Sequence, residues 1–301
     1  MPYVKTDDGT DIYVKDWDGG GRPVVLIHGW PLSADSWDPQ AIALAEAGFR
    51  VIAYDRRGFG RSSQPWSGYN YDTFSDDLAA VMNAAGAISD VSLVGFSMGG
   101  GEVARYMSRH GGKGVVSAAL IGSVVPYLLK TDDNPHGVPQ AQLDEIGQSV
   151  KQDRAAFFRN TFFKQFFGVG LISHPVSDEV IHWAWNIAMQ ASLRSTLEAA
   201  KAFGSTDFRP DLAAFDVPTL VLHGTADATV PIDATGRAAA AGIRNAQLVE
   251  YDGAPHGLFA TESDRLTKDL LTFLGSPTKG SAGEASESSI ARRDTDPLQT
   301  R

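Results

Sequence analysis

Cysteine is absent from the 301-residue sequence. That lack removes disulfides, thiolate metal sites, iron–sulfur clusters and every cysteine nucleophile together. Long apolar runs are missing as well. No stretch approaches the roughly 18 consecutive apolar residues that a membrane-crossing helix needs. The opening MPYVKTDDGTDIYVKDW carries alternating charge and no apolar signal core, so the chain reads as soluble and cytoplasmic. Positive charge is in deficit: 26 Lys and Arg face 36 Asp and Glu, a formal net charge of -10. An acidic chain repels phosphate backbones and anionic lipid, which makes nucleic acid and membrane surfaces poor partners. With 43% hydrophobic and 21% charged residues, the chain is neither disordered nor low-complexity.

Short apolar runs alternate with glycine-marked loops and amphipathic stretches. The first residues read as a hairpin around Asp7-Asp8-Gly9. PVVLI (Pro23 to Ile27) is continuously apolar and β-branched, as in a strand buried on both faces. Further strands are expected at Phe49–Tyr54, Val91–Val94, Val115–Ile121, Thr219–Leu222 and Gln247–Tyr251, with helices between them. One such helix is expected near residues 232–241 and another near 262–274. Strands alternating with helices predict an α/β fold, a mostly parallel central sheet flanked by helices. The alternation breaks between Tyr127 and Pro210, where the pattern is helical and rich in aromatics. Six phenylalanines fall between Phe157 and Phe167. This segment is expected to be a helical cap insertion. The organisation is therefore core at 1–126, cap at 127–210, core again at 211–276, and a disordered tail at 277–301. The tail has no aromatic residue, and its four positive and four negative side chains cancel.

Gly95-Phe96-Ser97-Met98-Gly99 carries the chemistry. It follows the apolar strand VSLV and opens a helical stretch. A G-x-S-x-G pentapeptide at such a junction makes a sharp turn that projects the serine hydroxyl above the sheet. A serine hydroxyl is a weak nucleophile and needs a base, itself oriented by an acid. The chain order expected for this turn is serine, acid, histidine. His256, in GAPHG beyond the last strand, is the expected base, whereas His223 inside TLVLHG reads as a structural histidine. Asp227, just past the TLVLHG strand, is the expected acid; Asp233 reads as solvated or capping, and Asp252 is too close to His256 along the chain. Two backbone N–H groups should bind the oxyanion: Met98, after the nucleophile, and Trp30, in the loop after PVVLI. His28 in that loop reads as stabilising the loop, since no second histidine stands at metal-ligand spacing. The sequence Gly58-Phe59-Gly60-Arg61-Ser62-Ser63 mimics a dinucleotide fingerprint but lacks its third glycine. Expected pocket residues are Trp30, Pro31, Phe96 and the evenly spaced Phe158, Phe162 and Phe166.

Five motifs in order, HGWP, DRRGFGRS, GFSMGG, GTADATVP and GAPHG, resemble the α/β-hydrolase superfamily over about residues 3–275. More narrowly, HGWPL with GFSMGGGEVARY resembles the cofactor-free bacterial haloperoxidases and their arylesterase and perhydrolase relatives. The resemblance implies Ser97, Asp227 and His256 as triad and Trp30 and Met98 as oxyanion donors. It implies hydrolysis of small aryl or short-chain acyl esters, with hydrogen peroxide as a second acyl acceptor. No cofactor or metal is implied, and homo-oligomers are common in that branch. Alternatives on the same triad are a lactone, γ-lactam or carbon–carbon hydrolase or a hydroxynitrile lyase; a ligand receptor with vestigial turnover is the alternative outside catalysis.

Pro31 generates a test at this level. Proline restricts the backbone of the residue before it, here the presumed oxyanion donor Trp30, and so constrains the Trp30 carbonyl. A carbonyl aimed into the site accepts a hydrogen bond from attacking peroxide. Pro31→Ala should lower the ratio of peracid formation to ester hydrolysis by about two- to tenfold, the worth of one net hydrogen bond. Both rates are to be measured on one acyl donor; an unchanged ratio rejects Pro31 as the peroxide determinant.

Overall fold

The computed structural model describes residues 2–17 and 19–275, so the expected tail at 277–301 lies outside the described residues. The apolar runs become strands β1 (Tyr3–Lys5), β2 (Asp11–Trp17), β3 (Pro23–Ile27), β4 (Arg50–Tyr54), β5 (Val91–Phe96), β6 (Val115–Ile121), β7 (Thr219–Gly224) and β8 (Ala246–Tyr251). They form one sheet in the order β1-β2-β4-β3-β5-β6-β7-β8. The β1–β2 and β2–β4 pairs are antiparallel, and the pairs from β4 to β8 are parallel. A turn suffices for the antiparallel β1–β2 pair, with Gly9 at φ 85°. Parallel neighbours need long crossovers, and helices supply them. These are α1 (Asp38–Glu46), α2 (Tyr71–Ala84) and α3 (Met98–Arg109), then α4 (Gln140–Phe157), α5 (Phe163–Phe166), α6 (Asp178–Gln190) and α7 (Leu193–Ser205) between β6 and β7. The chain ends with α8 (Gly236–Gly242), α9 (Leu258–Thr261) and α10 (Ser263–Gly275). Every residue of β5 and β7 is buried, which explains why both are mainly apolar rather than alternating.

Two helices differ from the sequence reading. The one expected from residue 232 starts at Gly236, because the Thr235 hydroxyl donates to the Pro231 carbonyl and holds the preceding residues in turns. The last divides at Glu262, whose φ of -129° separates α9 from α10.

Between β6 and β7 the described residues add no strand to the sheet. α4 bends at Asp153, where the backbone leaves the helical region and the side chain accepts from the Ala156 N–H, starting a fresh helical turn. It runs directly into a π-helical turn at Phe158–Phe162. Trp30 joins this segment to the body. Its indole N–H donates to the Thr196 carbonyl of α7 at 2.9 Å, and its ring meets Phe158, Phe162 and Phe203 edge-on at 5.1–5.5 Å.

The DRRGFGRS stretch is a structural clamp. Arg56 and Glu102 form a fully buried ion pair, and the Tyr54 hydroxyl donates to the same carboxylate. The Arg56 guanidinium also donates to the His28 carbonyl at 2.6 Å, while its backbone N–H donates to His28 Nε2 at 2.9 Å. His28 therefore stabilises its loop, as the sequence suggested. Arg57 grips Asp77 through two bonds of 2.6 Å, and Arg61 grips Asp55 at 2.8 Å. The glycines of the false nucleotide fingerprint serve this packing: a Cβ on Gly60 would stand 2.3 Å from the Asp55 carboxylate.

Removing one member of a buried pair strands the other charge. Glu102→Leu should cost about 3–5 kcal/mol in urea-induced unfolding, and adding Arg56→Met should recover part of that loss, since the Tyr54 hydroxyl and the His28 carbonyl still lack their partners. A double variant as unstable as the single one would show that the ion pair itself is stabilising.

Candidate active site

Ser97 stands between β5 and α3 with φ 54° and ψ -119°. That is left-handed backbone for a residue with a side chain, a strained geometry that persists only where its surroundings enforce it. They do. The Ser97 N–H donates to the Ile121 carbonyl of β6 at 2.8 Å, and its carbonyl accepts from Gly100 at 3.0 Å. The flanking glycines allow the close crossing: a Cβ on Gly95 would lie 2.6 Å from the Gly99 carbonyl oxygen, and one on Gly99 would lie 2.4 Å from that of Ile27. The turn thus presses α3 against the end of β3, next to the HGWP loop.

Three side chains from separate strand ends converge here. The Ser97 hydroxyl and His256 Nε2 are 2.9 Å apart, and His256 Nδ1 lies 2.5 Å from Asp227 Oδ2. With Nδ1–H donating to the carboxylate, Nε2 is left to accept the serine proton. The other carboxylate oxygen accepts from the backbone N–H groups of Thr229 at 2.9 Å and Val230 at 2.7 Å. All three residues are buried. Burial pushes the Asp227 carboxyl up, but the imidazoles of His256 and His223 outweigh it and hold the group well below the usual carboxylate range. Asp233 is an exposed partner of Arg237, which fits its solvated reading. Among the described residues no group of three or more His, Cys, Asp or Glu side chains is placed to hold a metal ion.

Met98 follows Ser97 in the chain and Trp30 lines the same cavity, and no described residue accepts from either backbone N–H. Trp30 precedes Pro31 through a cis peptide bond. A cavity of about 370 Å³ opens over Ser97 and His256. Its walls are mainly apolar, with Trp30, Val124, Leu128, Phe162 and Val230 among them, and Glu145 also lines it.

The expected pocket needs correction. Trp30 and Phe162 line the cavity; Pro31, Phe96, Phe158 and Phe166 do not. Phe96 packs behind the His256 imidazole at 5.0 Å and against Phe259 at 5.3 Å. Phe166 stands edge-on to the same imidazole at 4.9 Å, and Phe158 is buried beside Trp30. These rings support the wall from behind. Phe157 and Phe203 line the cavity and were not expected. The π turn explains Phe157: residues five apart share a face there, so Phe157 joins Phe162, whereas four-residue spacing had pointed to Phe158. Phe203, on α7, carried no signal in the sequence.

A family model described as the alpha/beta hydrolase fold matches residues 22–263. The chain belongs to the α/β-hydrolase family. This hydrolase is 45% identical over 276 residues to a non-heme chloroperoxidase of Kitasatospora aureofaciens, covering 91% of this chain and 99% of that one. It is 40% identical over 277 residues to the bifunctional esterase/perhydrolase DCH of Acinetobacter calcoaceticus, covering 92% of this chain and all of that one (100%). Among solved structures, the bromoperoxidase from Bacillus anthracis superposes with a TM-score of 0.87 at 46% identity, over 91% of this chain and 99% of that one. None of the hydrolase's described helices is long and apolar enough to cross a membrane.

The crossing at Gly99 predicts a contrast. Gly99→Ala forces a methyl group against backbone and should destabilise the hydrolase by about 1–3 kcal/mol. Gly147, inside α4, has open space where its Cβ would stand. Gly147→Ala should instead be neutral or stabilise by up to about 1 kcal/mol. Urea unfolding of the two variants checks both signs.

Proposed function

We propose that this hydrolase cleaves small neutral esters, aryl or short-chain acyl, through an acyl-enzyme, and that hydrogen peroxide serves as a second acceptor for the acyl group. Ser97 Oγ attacks the acyl carbon while His256 Nε2 takes its proton. The tetrahedral oxyanion receives the Trp30 and Met98 N–H groups, donors held ready before charge develops. His256 then gives the proton to the leaving alcohol or phenol. Asp227 keeps the imidazole in the required tautomer and stabilises its charged form. Water attacking the acyl-enzyme gives the acid, and peroxide gives the peracid. Released peracid oxidises halide in solution, passing one oxygen to it and leaving the carboxylic acid, so this chemistry calls for no metal or organic cofactor.

The observation that carries this reading is the hydrogen-bonded chain Ser97–His256–Asp227, at 2.9 and 2.5 Å, facing one apolar cavity. The names of the chloroperoxidase and esterase/perhydrolase relatives support the peroxide branch. In this reading residues 127–210 act as the cap that closes the cavity, over a core of 1–126 and 211–276. The cytoplasmic location read from the sequence and the homo-oligomeric state implied by the resemblance belong to the same proposal.

Ser97→Ala should reduce 4-nitrophenyl acetate turnover by about a thousandfold or more, with circular dichroism and melting temperature unchanged. Bromide oxidation in acetate and peroxide should vanish with it. A fluorophosphonate should label the wild type at Ser97. Retention of more than a few per cent of turnover places the nucleophile elsewhere.

A further inference from the structure

Asp227 serves two histidines, and the mechanism above uses only one of them. His223, on β7, is fully buried. Its Nε2 lies 2.9 Å from the Val230 carbonyl and 3.3 Å from Asp227 Oδ2, the same oxygen that receives His256. Its Nδ1 is buried with no hydrogen-bond partner. That asymmetry selects the tautomer. A proton on Nε2 places a donor between two oxygens and leaves only a lone pair unsatisfied at Nδ1. A proton on Nδ1 would bury an unpaired donor and aim a lone pair at both oxygens, the costlier arrangement. Gly236, at the start of α8, packs against this edge of the ring, where a Cβ would lie 2.6 Å from Nδ1.

We propose that His223 is a positioning residue for the proposed triad: its Nε2–H clamps the turn from Asp227 to Val230 and shares the charge of the carboxylate that orients His256. The inference rests on the triad reading above. Both ends of the turn meet one imidazole, so the carboxylate cannot swing away from His256 without losing its 3.3 Å contact with His223. The second donor also draws charge from Oδ2. Without it, the full carboxylate charge acts on His256 and favours its protonated form. The charged groups around His223 are few. Asp227 follows its own strand, and His256 lies on the loop after β8. Glu250 of β8 sits opposite in register, held by Arg237 of α8.

The test is the pH profile of kcat/KM for 4-nitrophenyl acetate, whose acid limb reports protonation of the base. His223→Leu should lower kcat about tenfold, the factor expected when one hydrogen bond to a charged group is lost, with KM unchanged. Its acid limb should move up by about half a pH unit. His223→Gln, which carries an amide N–H out to the Nε2 position, should restore kcat to within about twofold and return the limb. If His223→Leu does not fold, His223→Asn takes its place, since its shorter amide stops at the depth of Nδ1. A fall in kcat with an unmoved limb, or equal damage in the Gln and Leu variants, would overturn the inference and leave His223 a packing residue. Asp227→Asn separates the two readings. If that variant is inactive while His223→Leu keeps the wild-type profile, only the present inference fails. If Asp227→Asn keeps full activity, the triad reading fails and this one with it.

Discussion

The crossing of α3 over the end of β3 is the contact on which the rest of the site depends. It exists because Gly95 and Gly99 have no side chains and because Ser97 is held at φ 54° by bonds to β6 and to its own helix. β5 lies between β3 and β6, so a side chain at its end reaches toward loops on both sides. Ser97 and Trp30 line the same cavity for that reason. An added methyl at Gly99 meets the backbone of β3 rather than a side chain that could swing aside. The strain at Ser97 is therefore paid by the whole central sheet.

Around that crossing, buried charge is handled in two ways. Arg56, Glu102, Tyr54 and His28 form a closed set, each polar group matched to another, and the product is a rigid HGWP loop. On the other side of Ser97, Asp227 collects two backbone N–H groups and two imidazoles. Three histidines thus differ by position alone. His28 accepts from a backbone N–H at the end of β4 and His223 lies inside β7, whereas His256 sits on a loop where its Nε2 meets an open cavity. Only the last can exchange a proton with a bound molecule.

The aromatic segment between β6 and β7 has a mixed task. Trp30 gives one face to the cavity and the others to Phe158, Phe162 and Phe203, so the HGWP loop beside Ser97 is also the anchor of the helices above it. Changes in those helices will be felt at the HGWP loop, because close-packed rings transmit displacement rather than absorb it.

The residues proposed to do chemistry were legible because each sits in a local pattern at the end of a strand: Ser97 in its glycine turn, Asp227 past TLVLHG, His256 in GAPHG. The parallel sheet was legible for a similar reason, since strands buried on both faces are mostly apolar, as in β3, β5 and β7. Helix ends and the break at Glu262 were not, because they turn on single hydrogen bonds such as Thr235 to Pro231. Nor were the cavity walls. Four-residue spacing marked Phe158 and Phe166, but one π turn moved Phe157 onto the open face, and Phe203 reached it from α7. Whether a buried ring lines a cavity or supports it depends on backbone registers and on segments far apart in the chain. His223 makes the same point: its apolar strand announced burial, and only the folded loop showed that its Nε2 faces the carboxylate shared with His256. Local pattern determines which elements form and where reactive groups leave them; what each buried side chain faces is decided by packing between elements, which sequence spacing does not encode.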